Sequence, residues 1–146
     1  MTETTLTPDP TTEILNGYKA AVYAKDVDAF VALYDADVRV FDMWGTWSYD
    51  GLDAWRAMAA GWFGSLDDER VVVEFAEVES VVGVDLVVAQ AFVTYAAIDA
   101  DDAPLRALTN RMTMALRRRG GAWKIVHEHS SSPLDFSTAK PMFTRA

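Results

Sequence analysis

The second half of the sequence predicts four long β-strands that follow one another with short connections. Each segment is rich in β-branched and aromatic residues, and the connections contain glycine, aspartate or proline. The predicted strands cover residues of about 71–82, 85–98, 105–118 and 122–132. Because strands joined by short turns pair antiparallel and strands of this length must twist, we expect a curved antiparallel sheet.

The first half of the sequence predicts three helices and one short strand. Ile14, Tyr18 and Val22 recur at helical spacing in a helix that ends at about Ala24. Asp26 can cap a second, shorter helix, whose apolar face includes Tyr34. A strand over residues 38–42 and a third helix over about 52–65 follow. Helices that precede a sheet indicate an α+β fold, in which they cover one face of the sheet and enclose a cone.

Composition and charge exclude several classes of protein. The length of 146 residues and the hydrophobic content of 51% fit a single domain over 1–146, with a core of about 10–133 and a tail of 134–146. The formal net charge of −9 argues against binding to nucleic acid or anionic membranes. The absence of cysteine excludes disulfides and thiol catalysis.

The sequence carries neither a targeting segment nor a membrane span that we recognise. The N-terminal residues lack the basic and apolar regions of a signal peptide. The longest apolar run falls short of the roughly twenty residues that a membrane-spanning helix needs. We therefore expect a cytoplasmic protein.

The last predicted strand contains the two histidines of the chain. Alternation along a regular strand sets His127 and His129 on the same side as Trp123 and Ile125, so we expect both imidazoles to point into the cone. There they are candidates for a general acid and base, or they are merely hydrogen-bonded to a neighbour such as Ser131. The pair could also bind a metal together with Asp42, but no cysteine or further histidine pair supports that, and we predict no metal.

Two further polar residues have alternative interpretations. Asp42 ends a strand and precedes an aromatic loop over residues 43–51, where burial would raise its pKa and suit it to act as a base. Alternatively, it forms an ion pair with Arg39 or Arg111. Arg111 would bind a carboxylate or enolate if it faced the cone, and would be a surface charge on the convex face.

Aromatic residues are numerous enough to line a pocket for a small molecule. Some of them, spaced as on a helix, are expected to be ordinary core residues. Tyr18 and Tyr34 carry hydroxyls that could donate to a carbonyl oxygen. The candidate ligand-binding set is Tyr18, Tyr34, Trp44, Trp47, Trp55, Met58, Trp62, Tyr95 and Arg111.

Two segments carry a resemblance to a known superfamily. Residues 109–118, TNRMTMALRR, and 121–131, GAWKIVHEHSS, resemble the last hairpin of the nuclear-transport-factor-2-like superfamily, in its SnoaL-like and ketosteroid-isomerase-like branch. That hairpin is also similar to the association domain of calcium/calmodulin-dependent kinases. The segment 133–136, PLDF, and Lys140 resemble the tail of bacterial SnoaL-like proteins, and the order of elements matches from Thr12 to Pro133.

The resemblance implies a cone-shaped small-molecule pocket and two alternative functions. One is a cofactor-independent isomerase, cyclase or dehydratase that transfers protons on a small apolar or aromatic carbonyl or hydroxyl compound. The other is a non-catalytic ligand-binding or dimerisation module. The resemblance also implies a homodimer through the convex sheet face, for which Met112, Met114 and Leu116 are the candidate apolar patch. No phosphate-binding loop, nucleophile elbow or zinc-protease motif occurs, and we predict no cofactor.

Overall fold

The computed structural model describes residues 9–145, which form three helices and six strands. The predicted α+β class is confirmed. In chain order the elements are α1 (Thr11–Ala24), α2 (Val27–Val31), β1 (Tyr34–Phe41), β2 (Tyr49–Asp50), α3 (Leu52–Gly64), β3 (Arg70–Val82), β4 (Leu86–Ile98), β5 (Pro104–Arg119) and β6 (Ala122–Ser131).

The six strands form one open sheet in the order β2-β1-β6-β5-β4-β3. The four long strands predicted from the sequence, β3 to β6, pair antiparallel with one another in chain order. Strand β1 instead lies parallel to β6. The short β2 pairs antiparallel with the outer edge of β1, so the sheet contains both parallel and antiparallel pairs. Strand β1 also begins earlier than predicted, because α2 ends at Val31 and Tyr34 is the first residue of the strand rather than part of the helix.

The helices cover one face of the sheet with their apolar sides. The carboxylate of Asp26 accepts a hydrogen bond of 3.0 Å from the backbone N–H of Ala29, so it caps α2 as predicted. The ring of Phe30 in α2 lies edge-on to Tyr18 of α1 and Phe63 of α3, with centroids 5.3 and 5.7 Å apart. These aromatic contacts join the three helices into one core. Within residues 9–145 no helix combines the length and apolarity needed to cross a membrane.

Strand β5 has apolar residues on one face of the sheet and polar residues on the other. Met112, Met114 and Leu116 are buried in the core under the helices, which we call the helix-covered face. Arg111 and Thr113, which alternate with them along the strand, are exposed on the opposite face, the open face. The prediction that the two methionines and Leu116 form an apolar patch on the convex side is therefore wrong, because the alternation runs the other way.

Strand β6 contains a β-bulge that changes which of its residues face the helices. Ala115 of β5 pairs with His127 and Leu116 pairs with Ile125, which leaves Val126 as an extra residue in β6. As a result Ile125 and Glu128 are both buried on the helix-covered face, although three positions separate them. The prediction that the two histidines point into the cone is wrong, because the extra residue reverses the alternation beyond Ile125.

Candidate active site

A cavity of about 530 Å³ lies between the helices and the helix-covered face of the sheet. This volume is within the usual range of pockets for small molecules. Most of its lining is apolar or aromatic, and the few polar groups are described below. The lining residues are Tyr18, Asp42, Trp44, Tyr49, Trp55, Met58, Trp62, Leu66, Val71, Tyr95, Ala97, Arg106, Ala107, Leu108, Asn110, Glu128 and Phe143.

Glu128 is the most buried of the polar residues that line the cavity. Its residue is 1% exposed, and its Oε1 accepts a hydrogen bond of 2.6 Å from the hydroxyl of Tyr34, which is itself buried. The pKa of Glu128 is raised to about 8: burial is the main cause, the Tyr34 hydrogen bond opposes it, and the charge of Asp42 adds a smaller upward contribution. The side chain is therefore largely protonated at neutral pH and can donate a proton into the cavity.

Asp42 is the second carboxyl group of the cavity, and it follows directly after β1. Its Oδ1 accepts a hydrogen bond of 3.2 Å from the hydroxyl of Ser130, and that hydroxyl accepts one of 3.2 Å from the backbone N–H of Met43. Burial raises the pKa of Asp42, while hydrogen bonds from Ser130 and the backbone oppose the shift. The two carboxyl groups thus lie in one apolar cavity, and each is held in place by a hydroxyl group.

Two tyrosines from different elements meet inside the cavity. The hydroxyls of Tyr18 in α1 and Tyr95 in β4 are 2.8 Å apart, so one donates to the other. Burial raises the pKa of both phenols, which keeps them protonated at neutral pH. Because only one of the two protons is used within the pair, the other is free to donate to a ligand.

Asn110 brings a polar group without a protein partner to the cavity wall. Its side chain is buried, and its Nδ2 donates to the sulfur of Met43 at 3.2 Å. Its Oδ1 has no hydrogen-bond partner among the described residues. A buried carbonyl oxygen without a donor is costly.

The structure places most of the sequence-predicted residues at the cavity, but not all of them. Those that line it are Tyr18, Asp42, Trp44, Trp55, Met58, Trp62 and Tyr95. Tyr34 lies behind Glu128 and does not line the cavity, so its predicted donation to a ligand carbonyl is wrong. Trp47 is 97% exposed and borders a surface cleft on the open face together with His129. Its predicted place in the pocket is also wrong.

The two histidines and Arg111 lie on the open face of the sheet, outside the cavity. Nδ1 of His127 is 2.6 Å from the backbone oxygen of Arg39, and the ring lies edge-on to Phe41. His129 is exposed and also lies edge-on to Phe41. Nε of Arg111 donates to the hydroxyl of Ser131 at 3.0 Å. Of the two alternatives for Arg111, the structure shows the surface charge.

Sequence reasoning missed Glu128, Asn110 and Phe143. Regular alternation assigns Glu128 to the same face as Lys124, which is the solvent side in the predicted strand. The only hint is an acidic residue between the two histidines, and that hint is weak because exposed strand faces carry carboxylates routinely. Phe143 lies in a tail with no clear periodicity.

Metal ligands do not converge in the part of the chain that the structure describes. Over residues 9–145 there is no group of three or more His, Cys, Asp or Glu side chains arranged to hold a metal ion. His127 and His129 are on the open face, and Asp42 lines the cavity beneath the helices and also borders the surface cleft that contains His129.

Solved structures of similar proteins share this fold. An NTF2-like protein of unknown function from Pseudomonas putida KT2440 is 26% identical, with 93% of each chain covered and a TM-score of 0.81. The protein Aln2 from a Streptomyces species is 20% identical, with 86% of this chain and 94% of that one covered and a TM-score of 0.74. A protein named as a calcium/calmodulin-dependent protein kinase II association domain, from Xanthomonas campestris, is 17% identical, with 90% and 96% covered and a TM-score of 0.67.

The family assignment rests on the sequence as well as on the fold. No curated protein matches the chain. The family model of the SnoaL-like domain matches residues 12–135, which include nearly all of the three helices, all six strands and both carboxyl groups of the cavity. The chain therefore belongs to the SnoaL-like domain family.

Proposed function

We propose that the protein is a cofactor-independent enzyme that transfers protons on a small, neutral carbonyl or hydroxyl compound bound in the cavity. The observation that carries this proposal is Glu128, a carboxyl group that is buried against the cavity with a pKa of about 8. A second carboxyl group, Asp42, lines the same space. Environments that separate the pKa values of two carboxyl groups are typical of acid–base catalysis.

The two carboxyl groups take different roles. Asp42 retains backbone and hydroxyl hydrogen bonds that stabilise its charged form, so it ionises first and serves as the base. It would remove a proton from a carbon next to the carbonyl group of the ligand. Glu128 would donate its proton to the carbonyl oxygen, which gives a neutral enol. In a ligand with a carbon–carbon double bond next to the deprotonated carbon, this enol is a dienol. Return of its hydroxyl proton to Glu128 and delivery of a proton from Asp42 to the far carbon of the dienol would move the double bond and complete an isomerisation.

Tyr34 directs the proton of Glu128 in this scheme. Its hydroxyl donates to Oε1, so the proton of the neutral carboxyl group resides on Oε2, the oxygen that is left to face the cavity. Tyr34 does not touch a ligand and is therefore a positioning residue. The free proton of the Tyr18–Tyr95 pair supplies a further donor for the developing negative charge on oxygen.

The charges around the cavity favour a neutral ligand. Arg106 is the single cation among the described residues that line it. Glu69 binds both terminal nitrogens of that guanidinium, at 3.1 and 2.7 Å. A carboxylate or phosphate ligand would therefore meet two carboxyl groups and no unpaired cation.

The family is consistent with this chemistry. The SnoaL-like domain family includes cofactor-free isomerases and cyclases. Its members also bind small ligands and often form dimers.

We propose that this chain forms a homodimer through the open face, where Val81 and Val88 are exposed on neighbouring strands. Sedimentation velocity on the wild type and on Val88→Glu tests this, and a wild type that sediments as a monomer would contradict it.

Deuterium exchange tests the proposed chemistry without knowledge of the natural substrate. A panel of neutral cyclic ketones and hydroxyketones is incubated with the protein in D₂O, and loss of the protons next to each carbonyl is followed by ¹H NMR. We expect the wild type to accelerate exchange of at least one compound, and Asp42→Asn to slow that exchange by at least about a hundredfold. Glu128→Gln should slow it to a similar extent, and His129→Gln should not.

Binding is measured in parallel by thermal shift. Compounds that bind the wild type without any accelerated exchange would support the alternative of a non-catalytic ligand-binding module. Exchange that survives both carboxyl substitutions would contradict the assignment of Asp42 and Glu128.

A further inference from the structure

The tail of the chain returns to the cavity after the last strand. The family match ends at residue 135, and the structure continues to residue 145. Pro133 and Pro141 flank a compact turn, in which the backbone N–H of Met142 donates to the oxygen of Pro133 at 2.8 Å. Beyond this turn the chain runs back toward the sheet. The tail therefore extends past the matched residues along a path that hydrogen bonds fix.

The tail occupies a place beside β5 that β6 leaves empty. Strand β6 ends where Ser131 pairs with Arg111. Thr109 precedes Arg111 by two residues in β5, and its backbone N–H donates to the backbone oxygen of Phe143 at 2.7 Å. This hydrogen bond holds Phe143 against the edge of the strand, at the level of the cavity-lining residues Leu108 and Asn110.

Arg145 anchors the end of the described tail. Its guanidinium carbon lies 3.6 Å from the ring centre of Phe92 in β4. Its Nη2 lies 2.6 Å from Oε2 of Glu77 in β3, with which it forms an ion pair. A cation–π contact and an ion pair on two different strands hold the segment that contains Phe143 in one position.

Phe143 completes the wall of the cavity. It is half-buried, and its ring packs against Trp44 with centroids 5.7 Å apart. Trp44 comes from the loop between β1 and β2 and is 54% exposed, so this pair lies where the cavity meets solvent. Two flat side chains from separate, non-regular segments thus border the mouth of the cavity.

We propose that Phe143 is a specificity-determining residue, and that the tail uses it with Trp44 to limit the size of the molecules that the cavity holds. A small ligand is covered by the Phe143 ring and gains contact area from it. A longer ligand collides with the same ring. This proposal concerns access to the cavity and does not depend on whether Glu128 and Asp42 carry out chemistry.

Two neutral fluorescent probes of different size test the proposal. The dissociation constants of 2-naphthol and of the larger 1-hydroxypyrene are measured for the wild type and for Phe143→Ala. We expect Phe143→Ala to weaken 2-naphthol by about tenfold, through loss of one aromatic contact, and to leave 1-hydroxypyrene unchanged or tighter. Phe136→Ala is the matched control, because Phe136 lies in the same tail and is fully exposed. An unchanged ratio of the two constants in Phe143→Ala would overturn the proposal.

A second measurement requires no bound ligand. The five tryptophans of the chain can be observed by ¹⁹F NMR after labelling with 5-fluorotryptophan, and the neutral radical TEMPOL broadens the accessible ones. We expect Phe143→Ala to increase the broadening of Trp62, which lines the cavity, and to leave Trp123 near the start of β6 unaffected. Arg145→Ala should act in the same direction by loosening the anchor. Equal broadening of Trp62 in the wild type and Phe143→Ala would also overturn the proposal, whether or not either probe binds.

Discussion

The two faces of β6 both carry polar residues, yet they differ in what those residues can do. On the helix-covered face, Glu128 and Ser130 are buried and connect to Tyr34 and Asp42 by hydrogen bonds. On the open face, His129 is exposed and lies against Phe41. The pKa of Glu128 is raised to about 8, mainly by burial, so a carboxyl group titrates near neutral pH where the sequence suggested a histidine.

The environment, rather than the residue type, decides which polar side chain of β6 has a pKa raised toward neutrality inside a cavity. Histidine titrates near neutrality without help, which makes it the natural candidate in a sequence. A glutamate reaches the same range when it is taken out of water, and the charge of Asp42 adds to the shift here. The single extra residue Val126 decides which of the two receives that environment.

The difference between the two faces of β6 should have its largest effect on how the free energy of unfolding depends on pH. The folded state holds the Glu128 proton up to a pH of about 8, whereas an ordinary glutamate releases it near 4.5. Between these values the native state binds more protons than the unfolded state, so the free energy of unfolding falls as pH rises, by up to about 5 kcal/mol. In Glu128→Gln this fall should shrink to the contribution of Asp42 and of any other shifted groups.

Urea unfolding of both proteins between pH 5 and pH 9 measures the effect. The matched control is His129→Gln, which should retain the pH dependence of the wild type. Parallel curves for the wild type and Glu128→Gln would show that Glu128 ionises normally, and would remove the difference between the faces.

A smaller effect on stability is expected from side-chain packing, which differs between the two faces of β5. Met114→Ala should lower the free energy of unfolding by about 3 kcal/mol, because it leaves a cavity in the core. Thr113→Ala, one position away on the open face, should change it by less than about 0.5 kcal/mol. Urea denaturation of the two variants measures both values. Similar losses would mean that the faces of β5 have been assigned incorrectly.

Removal of the hydrogen bond from Tyr34 to Glu128 should have a smaller effect still. Tyr34→Phe removes a donor that stabilises the charged carboxylate, so the pKa of Glu128 should rise by about one unit. The pH profile of deuterium exchange, or the carboxyl NMR signal of Glu128, reports the shift. Tyr23→Phe on the exposed side of α1 is the control. A pKa that stays constant in Tyr34→Phe would show that Tyr34 does not tune the acid.

The smallest effect is expected on the open face. His127→Gln and His129→Gln should leave the dissociation constant of 2-naphthol unchanged within about twofold, since neither histidine lines the cavity. Fluorescence titration measures this constant. A large loss of affinity in either variant would place a histidine in the binding site and contradict the comparison.

Much of the fold could be predicted from the sequence, because its signals are local. Helical spacing from Ile14 to Val22 and the four long strand patterns predicted the elements, and their order predicted an α+β sheet. Most of the aromatic lining also followed, since large apolar side chains on an amphipathic helix are buried wherever the helix packs. The parallel pairing of β1 with β6 could not be predicted, because it joins segments that are distant in the chain.

The site was less predictable, for a physical reason that Val126 illustrates. Face assignment along a strand depends on an unbroken period of two, and one unpaired residue exchanges the faces for everything that follows. Nothing in the local sequence GAWKIVHEHS marks Val126 as extra, because the bulge arises from pairing with β5. Phe143 was missed because its position depends on a backbone hydrogen bond to Thr109 rather than on periodicity.

The central claim is that Glu128 is a protonated acid at neutral pH, and a direct titration tests it. In protein labelled with ¹³C at the glutamate side-chain carboxyl, the Glu128 signal is assigned by its absence in Glu128→Gln and followed from about pH 3 to about pH 10, a range that spans the ordinary and the raised values. The account predicts a titration midpoint of about 8, and a midpoint near the ordinary value of 4.5 would contradict it.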